Sequence, residues 1–208
     1  MIKHVSMKHG WFYYYRMHEI KCNMLLKEFP KLHDYLNDMF ENCPHDFFVT
    51  GPRSSSLTFP IKNGSINVEN HETCVLTDDA LIEMEGRYKS AHSKVEVFML
   101  EKDDKTIAVE VPIWIQADEL KNFQELFETD EPLSGHIDIL RVESGKIWVW
   151  DYKPKAVKEK HAHVQTLFYA LMLSKRTGIE LKNFMCGYFD ENDCFVFKPE
   201  MDMIKFKY

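Results

Sequence analysis

Hydrophobic positions change period several times along this chain, and each change marks an element. Over residues 1–42, aromatic, Met and Leu residues mix with lysines without a turn cluster, and Leu25, Phe29, Leu32, Leu36 and Phe40 recur three or four apart. That spacing predicts two helices broken at Pro30. Residues 50–73 carry Gly51, Pro52, three consecutive serines, Pro60, Asn63, Gly64 and Asn67, turn chemistry that predicts a loop with at most a short hairpin. Thr77, followed by Asp78, Asp79 and Glu83, reads as the N-cap and acidic first turn of one long helix, with a stripe through Leu81, Met84, Tyr88, His92, Val95 and Met99. Ile107, Val109, Val111, Ile113 and Ile115 then alternate at period two. The same reading holds for 135–142 and 146–153, with Ser144-Gly145 as the turn between them. Helical spacing returns over 160–176 through Val164, Leu167, Phe168, Leu171 and Met172, and 183–189 and 194–198 read as closing strands. Helix, three strands, helix, strand is the order of an α/β core.

Composition sets the scale of that core. With 208 residues and 45% hydrophobic content, the chain can bury one substantial core. The expected organisation is an α/β core over 77–208, with residues 1–76 as a helical extension and loop packed on it, one structural domain in all. No apolar run approaches the roughly 20 residues that cross a bilayer, and Met1-Ile2-Lys3-His4 leads into no signal-peptide pattern. Both point to a cytoplasmic, intracellular protein with no membrane partner. Cys22, Cys43, Cys74, Cys186 and Cys194 are odd in number and lack a Cys-x-x-Cys pair, so they read as reduced, buried small hydrophobes.

Formal charge is −7, a balance that on its face disfavours contact with phosphates. Its distribution changes the picture. Acids gather around 78–85, 101–104 and 118–131, whereas 153–163 holds Lys153, Lys155, Lys158, Lys160, His161 and His163 against Glu159 alone. Lys155, Lys158 and Lys160 are candidates to meet nucleic-acid phosphates; a solvated loop is the plainer reading.

Asp151-Tyr152-Lys153 ends a strand, where residues i and i+2 share a face, so carboxylate and ammonium enter the same space. With 33 acidic and 26 basic residues, about four such triplets arise by chance, and context must decide. Asp138 supplies that context. It sits in the apolar strand Leu133-Ser134-Gly135-His136-Ile137-Asp138-Ile139, where an acid is costly unless paired or metal-bound. Pairing through the Ser144-Gly145 turn brings Asp138 beside Asp151, and two carboxylates with a lysine suit Mg²⁺ or Mn²⁺. Such an ion activates water and neutralises charge on a phosphodiester, while Lys153 stabilises the transition state or orients the attacking water.

Here the chain resembles the RecB-like branch of the PD-(D/E)XK nucleases, which includes CRISPR-associated nucleases and viral relatives. Glu110-Val111-Pro112, Gly135-x-x-Asp138, Asp151-x-Lys153 and Gln165-x-x-x-Tyr169 occur in the family's order, and the likeness covers roughly 85–190. It implies a restriction-endonuclease-like core, a central mixed sheet flanked by helices, and catalysis by Asp138, Asp151, Lys153, Glu110, Gln165 and Tyr169. Gln165 and Tyr169, four apart on one helix, face the same way, and in the family such residues line the substrate path. The likeness also implies His92 as a metal ligand beside Asp138 and Asp151, although its spacing from Gly86 is looser than the family's. A satisfied core histidine is the alternative there. Glu110 is either a partner of metal-bound water, an orienter of Lys153, or a plain strand-face acid.

Some relatives hold an iron–sulfur cluster through one early cysteine and a late trio. Cys43-Pro44-His45 faintly resembles the first part, but Cys186 and Cys194 are too few for the rest, so no cluster is expected. The activity implied is metal-dependent hydrolysis of DNA, at single strands or ends, with an exonuclease-like mode. A homo-oligomer is compatible with this reading. The alternatives are a structure-specific or restriction-type endonuclease, a catalytically silent nucleic-acid-binding module of the same fold, and an interaction protein whose working surface is the aromatic N-terminal region.

Overall fold

A computed structural model of the chain describes residues 1–205. Its centre is one eight-stranded mixed sheet in the order β1-β2-β4-β5-β6-β7-β8-β3. The strands are β1 (Ile2–His9), β2 (Trp11–His18), β3 (Ile66–Asn67), β4 (Thr106–Ile115), β5 (Leu133–Glu143), β6 (Lys146–Tyr152), β7 (Phe184–Phe189) and β8 (Cys194–Phe197). The helices are α1 (Glu19–Leu25), α2 (Pro30–Asp38), α3 (Glu72–Glu83), α4 (Ala91–Lys102), α5 (Phe123–Phe127) and α6 (Ala162–Thr177). β4, β5 and β6 form an antiparallel meander, and β6 pairs β7 in parallel across the α6 crossover.

Helices cover both faces of the sheet. On one side α6 and α2 pack on Ile107, Val111, Ile113, Ile137 and Leu140. On the other, α3 and α4 pack on Val109, Ile139, Trp150 and Phe189. Burial from both sides explains why β4 and β5 are apolar almost throughout, as a doubly covered sheet requires. Trp150 and Tyr152 are buried on the face of α3 and α4, and Trp148 stacks on Trp150 at 5.1 Å.

The hairpin at Ser144-Gly145, the strand over 106–115, the 162–177 helix and the closing strands match the periodicity. Two expectations do not. The N-terminal region is not helical throughout: residues 2–18 form the β1–β2 hairpin, which joins the sheet through Arg16–Val109 and Met17–Ala108. Helices start only at Glu19, and Pro30 opens α2 at its first turn instead of breaking a helix. Nor is there one long helix from Thr77. α3 starts earlier, capped by His71, and Thr77 lies inside it with its hydroxyl donating to the Thr73 carbonyl. The chain then breaks at Gly86, whose φ of +77° no helix accommodates, and restarts where the Ser90 side chain accepts from the Ser93 amide. A boundary at 76/77 therefore falls within α3. All five cysteines are free and buried. No helix among the described residues is long and apolar enough to cross a membrane.

Candidate active site

The ladder between β5 and β6 stops at Ile139–Trp150, and the next residue on each strand is an acid, Asp138 and Asp151. The Tyr152 amide donates to Asp138 Oδ2 at 3.0 Å, so a side-chain carboxylate takes the place of a ladder carbonyl. On the other side of β5, Glu110 lies between the pairs Val109–Ile139 and Val111–Ile137, opposite Asp138. Side-chain alternation breaks there on both strands, because Val109 and Ile139 pack into one layer while Val111 and Ile137 pack into the other. Glu110 adopts a left-handed φ of +52°, a conformation that costs a non-glycine residue on the order of 1–3 kcal/mol. Strain and broken alternation thus coincide where three acids meet.

A fourth acid comes from α4. Glu96 is buried, and its Oε1 has no hydrogen-bond partner among the described residues. It escaped sequence reasoning because it lies within the apolar run Val95-Glu96-Val97-Phe98; an acid inside such a run was the available signal. Burial, and then the Asp138 charge, push both Glu110 and Asp151 up to about 8. Burial raises Asp138 as well, and it raises Glu96 further, with Glu110 and Asp138 adding to the effect.

Lys153 is the nearest counter-charge, its Nζ 2.7 Å from Asp151 Oδ2. The pair is close, but without the alignment of a hydrogen bond, and Oδ2 keeps an unused lone pair. Burial lowers the Lys153 ammonium, but the Asp151 and Asp138 charges outweigh it and leave it above its ordinary range. Asp151 Oδ1 is held from α6, where Gln165 Nε2 donates to it at 2.9 Å and to Tyr169 Oη at 2.7 Å. α6 reaches this close because residue 135 is glycine. A Cβ there would stand 2.6 Å from Tyr169 Cε1 and 2.8 Å from Ser54 Oγ, so the Gly135-x-x-Asp138 spacing has a steric cause.

Glu110, Asp138, Lys153, Gln165 and Tyr169 open into a cavity of about 220 Å³ that Tyr13, Arg53, His92 and His136 also line, and Asp151 and Glu96 lie buried behind its wall. His92, in the first turn of α4, stands edge-on to Tyr152 with ring centroids 5.0 Å apart. It lies in the same cavity, yet His92, Asp138 and Asp151 do not bring their ligand atoms within 4.8 Å of one another as a set of three. Tyr13 and Arg53 come from segments that the sequence marked as helix and loop; the Arg53 guanidinium lies 5.7 Å from the Tyr13 ring centre. Lys155, Lys158 and Lys160 are exposed beyond β6, and none forms an ion pair among the described residues.

The donor set fits a hard divalent cation. Glu96 and Asp151 are buried and Glu110 and Asp138 half-buried. The four acids face Lys153 and the more distant Arg16, two of their oxygens lack aligned donors, and oxygen-rich, over-negative clusters are what Mg²⁺-type ions bind, although here no three of these carboxylates bring ligand oxygens within 4.8 Å of one another. A family model described as the PD-(D/E)XK nuclease superfamily matches residues 73–202, from α3 through both acid-bearing strands and α6. No curated protein and no solved structure matches the chain.

Proposed function

The chain belongs to the PD-(D/E)XK nuclease superfamily, and from that premise we propose that it hydrolyses DNA, at single strands or strand ends, with Mg²⁺ or Mn²⁺. The carrying observation is the meeting of Asp138, Asp151 and Glu110 with Lys153 where the β5–β6 ladder stops. Asp138 and Asp151 would hold the ion, with Glu110 or His92 completing its surroundings. When bound, the ion supplies charge neutralisation at the phosphodiester and acidifies water.

The protein's own groups do the rest. Gln165 fixes Asp151 Oδ1, so the carboxylate presents Oδ2 to the site in one orientation. Lys153, kept protonated by Asp151 and Asp138, faces the negative charge that develops as the phosphorus–oxygen bond breaks. Tyr169 accepts from Gln165 and, like it, borders the cavity where substrate enters. Lys155, Lys158 and Lys160 meet backbone phosphates outside it.

Preference for single strands rests on the hairpin. Tyr13 lines the cavity, while Trp11, Phe12 and Tyr14 beside it are exposed. Exposed aromatics next to cationic groups are how proteins stack unpaired bases without reading sequence. Labelled single-stranded DNA, duplex DNA and RNA, each incubated with Mg²⁺, Mn²⁺ or EDTA, test the proposal. Cleavage should need a divalent ion, favour single-stranded DNA, and vanish in Asp138→Ala and Asp151→Ala proteins that keep the wild-type circular dichroism. Equal cleavage by wild type and Asp151→Ala would overturn it.

A further inference from the structure

We propose that His9, Cys43 and His45 form a second metal site, of the Zn²⁺ type, separate from the carboxylate centre. Their ligand atoms all lie within 4.8 Å of one another. One ion with Zn–N near 2.0–2.1 Å and Zn–S near 2.3 Å spans such a set after small side-chain adjustments, roughly as in Cys/His sites. The donors are two imidazoles and a thiol, which select a borderline-soft transition metal over Mg²⁺.

The surroundings are organised as for ligands. His9 is fully buried, stacked on Phe48 at 4.0 Å, and its Nε2 lies 2.8 Å from His45 Nδ1. Its other nitrogen, Nδ1, lies 2.8 Å from His136 Nε2. A bond donated from Nδ1 to His136 fixes the tautomer that leaves Nε2 free for an ion, the outer-shell arrangement common to metal-binding histidines. His136 is itself clamped by Tyr13, stacked at 3.7 Å. Cys43 stands apart from the other cysteines. Cys22 and Cys186 donate to carbonyls, and Cys74 and Cys194 lie together beside Thr73, whereas the Cys43 thiol has no hydrogen bond among the described residues. His45 is exposed and gives the ion a way in. Loading requires the single N–H of neutral His45 to exchange, through solvent, from Nδ1 to Nε2, which frees His9 Nε2 and His45 Nδ1 for the ion, and it releases the Cys43 thiol proton to water.

Such an ion would join the end of β1, the 43–48 segment and, through His136, the strand that carries Asp138. Its role is positional, since it lies behind His136 and does not line the catalytic cavity.

The test is metal loading of the full chain, stripped with a chelator and then titrated with Zn²⁺ or Co²⁺. Wild type should retain one Zn²⁺ per chain through gel filtration, and the Co²⁺ form should show thiolate charge-transfer absorption with tetrahedral visible bands. Cys43→Ser should remove the charge-transfer band, and His45→Ala, at an exposed position, should weaken Zn²⁺ binding by at least about tenfold with the fold intact. Asp151→Ala should keep both the band and the Zn²⁺. Absence of stoichiometric Zn²⁺ in wild type, a band that survives Cys43→Ser, or Zn²⁺ that leaves with Asp151→Ala but stays in His45→Ala would each overturn the site. In those cases the three histidines are a hydrogen-bonded chain alone.

Discussion

Gln165 uses one amide nitrogen for two tasks, holding Asp151 Oδ1 and reaching Tyr169 Oη. Its position predicts that it acts on the carboxylate as well as along the substrate path. Gln165→Ala should weaken Mn²⁺ binding about 10–100-fold, the range for groups that orient a ligand. Tyr169→Phe removes an acceptor from Gln165 and should cost about 0.5–1.5 kcal/mol in cleavage, with a smaller change in Mn²⁺ affinity. Calorimetric Mn²⁺ titration beside kinetics separates the two; unchanged Mn²⁺ affinity in Gln165→Ala would return both residues to a purely substrate-facing role. Gly135→Ala adds a methyl group against Tyr169 and Ser54, so α6 must move. It should destabilise by about 1–3 kcal/mol and reduce activity beyond that loss, measured by thermal melts and initial rates.

Among the elements, the β1–β2 hairpin carries the next prediction. Trp11→Ala and Phe12→Ala remove exposed rings, so stability should stay within about 0.5 kcal/mol. Each should raise KM for single-stranded DNA by the equivalent of about 1–3 kcal/mol per stacked base and leave kcat near wild type. A KM unchanged in the double variant would show that bases do not rest on this hairpin. That hairpin was also the least legible element. Trp11-Phe12-Tyr13-Tyr14-Tyr15 is apolar on both faces and shows no period, so only its aromatic β-propensity argued for a strand, against helical spacing further on. β5 and β6 were legible because turn chemistry and alternation agreed, and with them came Asp138, Asp151 and Lys153. Glu96, Arg53 and Tyr13 were hidden for a different reason. Their place in the site depends on which helix covers which face and where the 50–73 loop returns, as at the Arg53–Ser134 bridge, and neither is written in local periodicity.

At the scale of the whole molecule, the acid cluster couples stability to pH. Glu110 and Asp151 are pushed up to about 8, far above their values in an unfolded chain, so the folded protein holds protons that the unfolded one has released. Their contribution is fully present below the ordinary carboxylate range and is lost as pH rises toward about 8. The melting temperature in EDTA should therefore fall across that window. Mg²⁺ or Mn²⁺ should flatten the fall, because an ion replaces the protons and binds the folded state alone. Parallel pH profiles with and without the ion would refute the coupling.

The sheet order carries a consequence for how the protein is made. β2 lies beside β4, with Arg16 opposite Val109, so the β1–β2 hairpin, once out of the ribosome, must wait for a partner more than ninety residues behind it. At about 5–20 residues per second that wait lasts roughly 5–20 s. During it Tyr15 and Met17, fully buried in the finished sheet, lack the β4 neighbour that completes their cover, the contacts of Tyr15 with Leu36 and Phe40 being those available earlier, and a two-stranded hairpin is marginal in water. Nascent chains arrested before residue 106 should therefore bind hydrophobic-surface holdase chaperones through residues 11–18, and chains arrested well after β5 has emerged should release them.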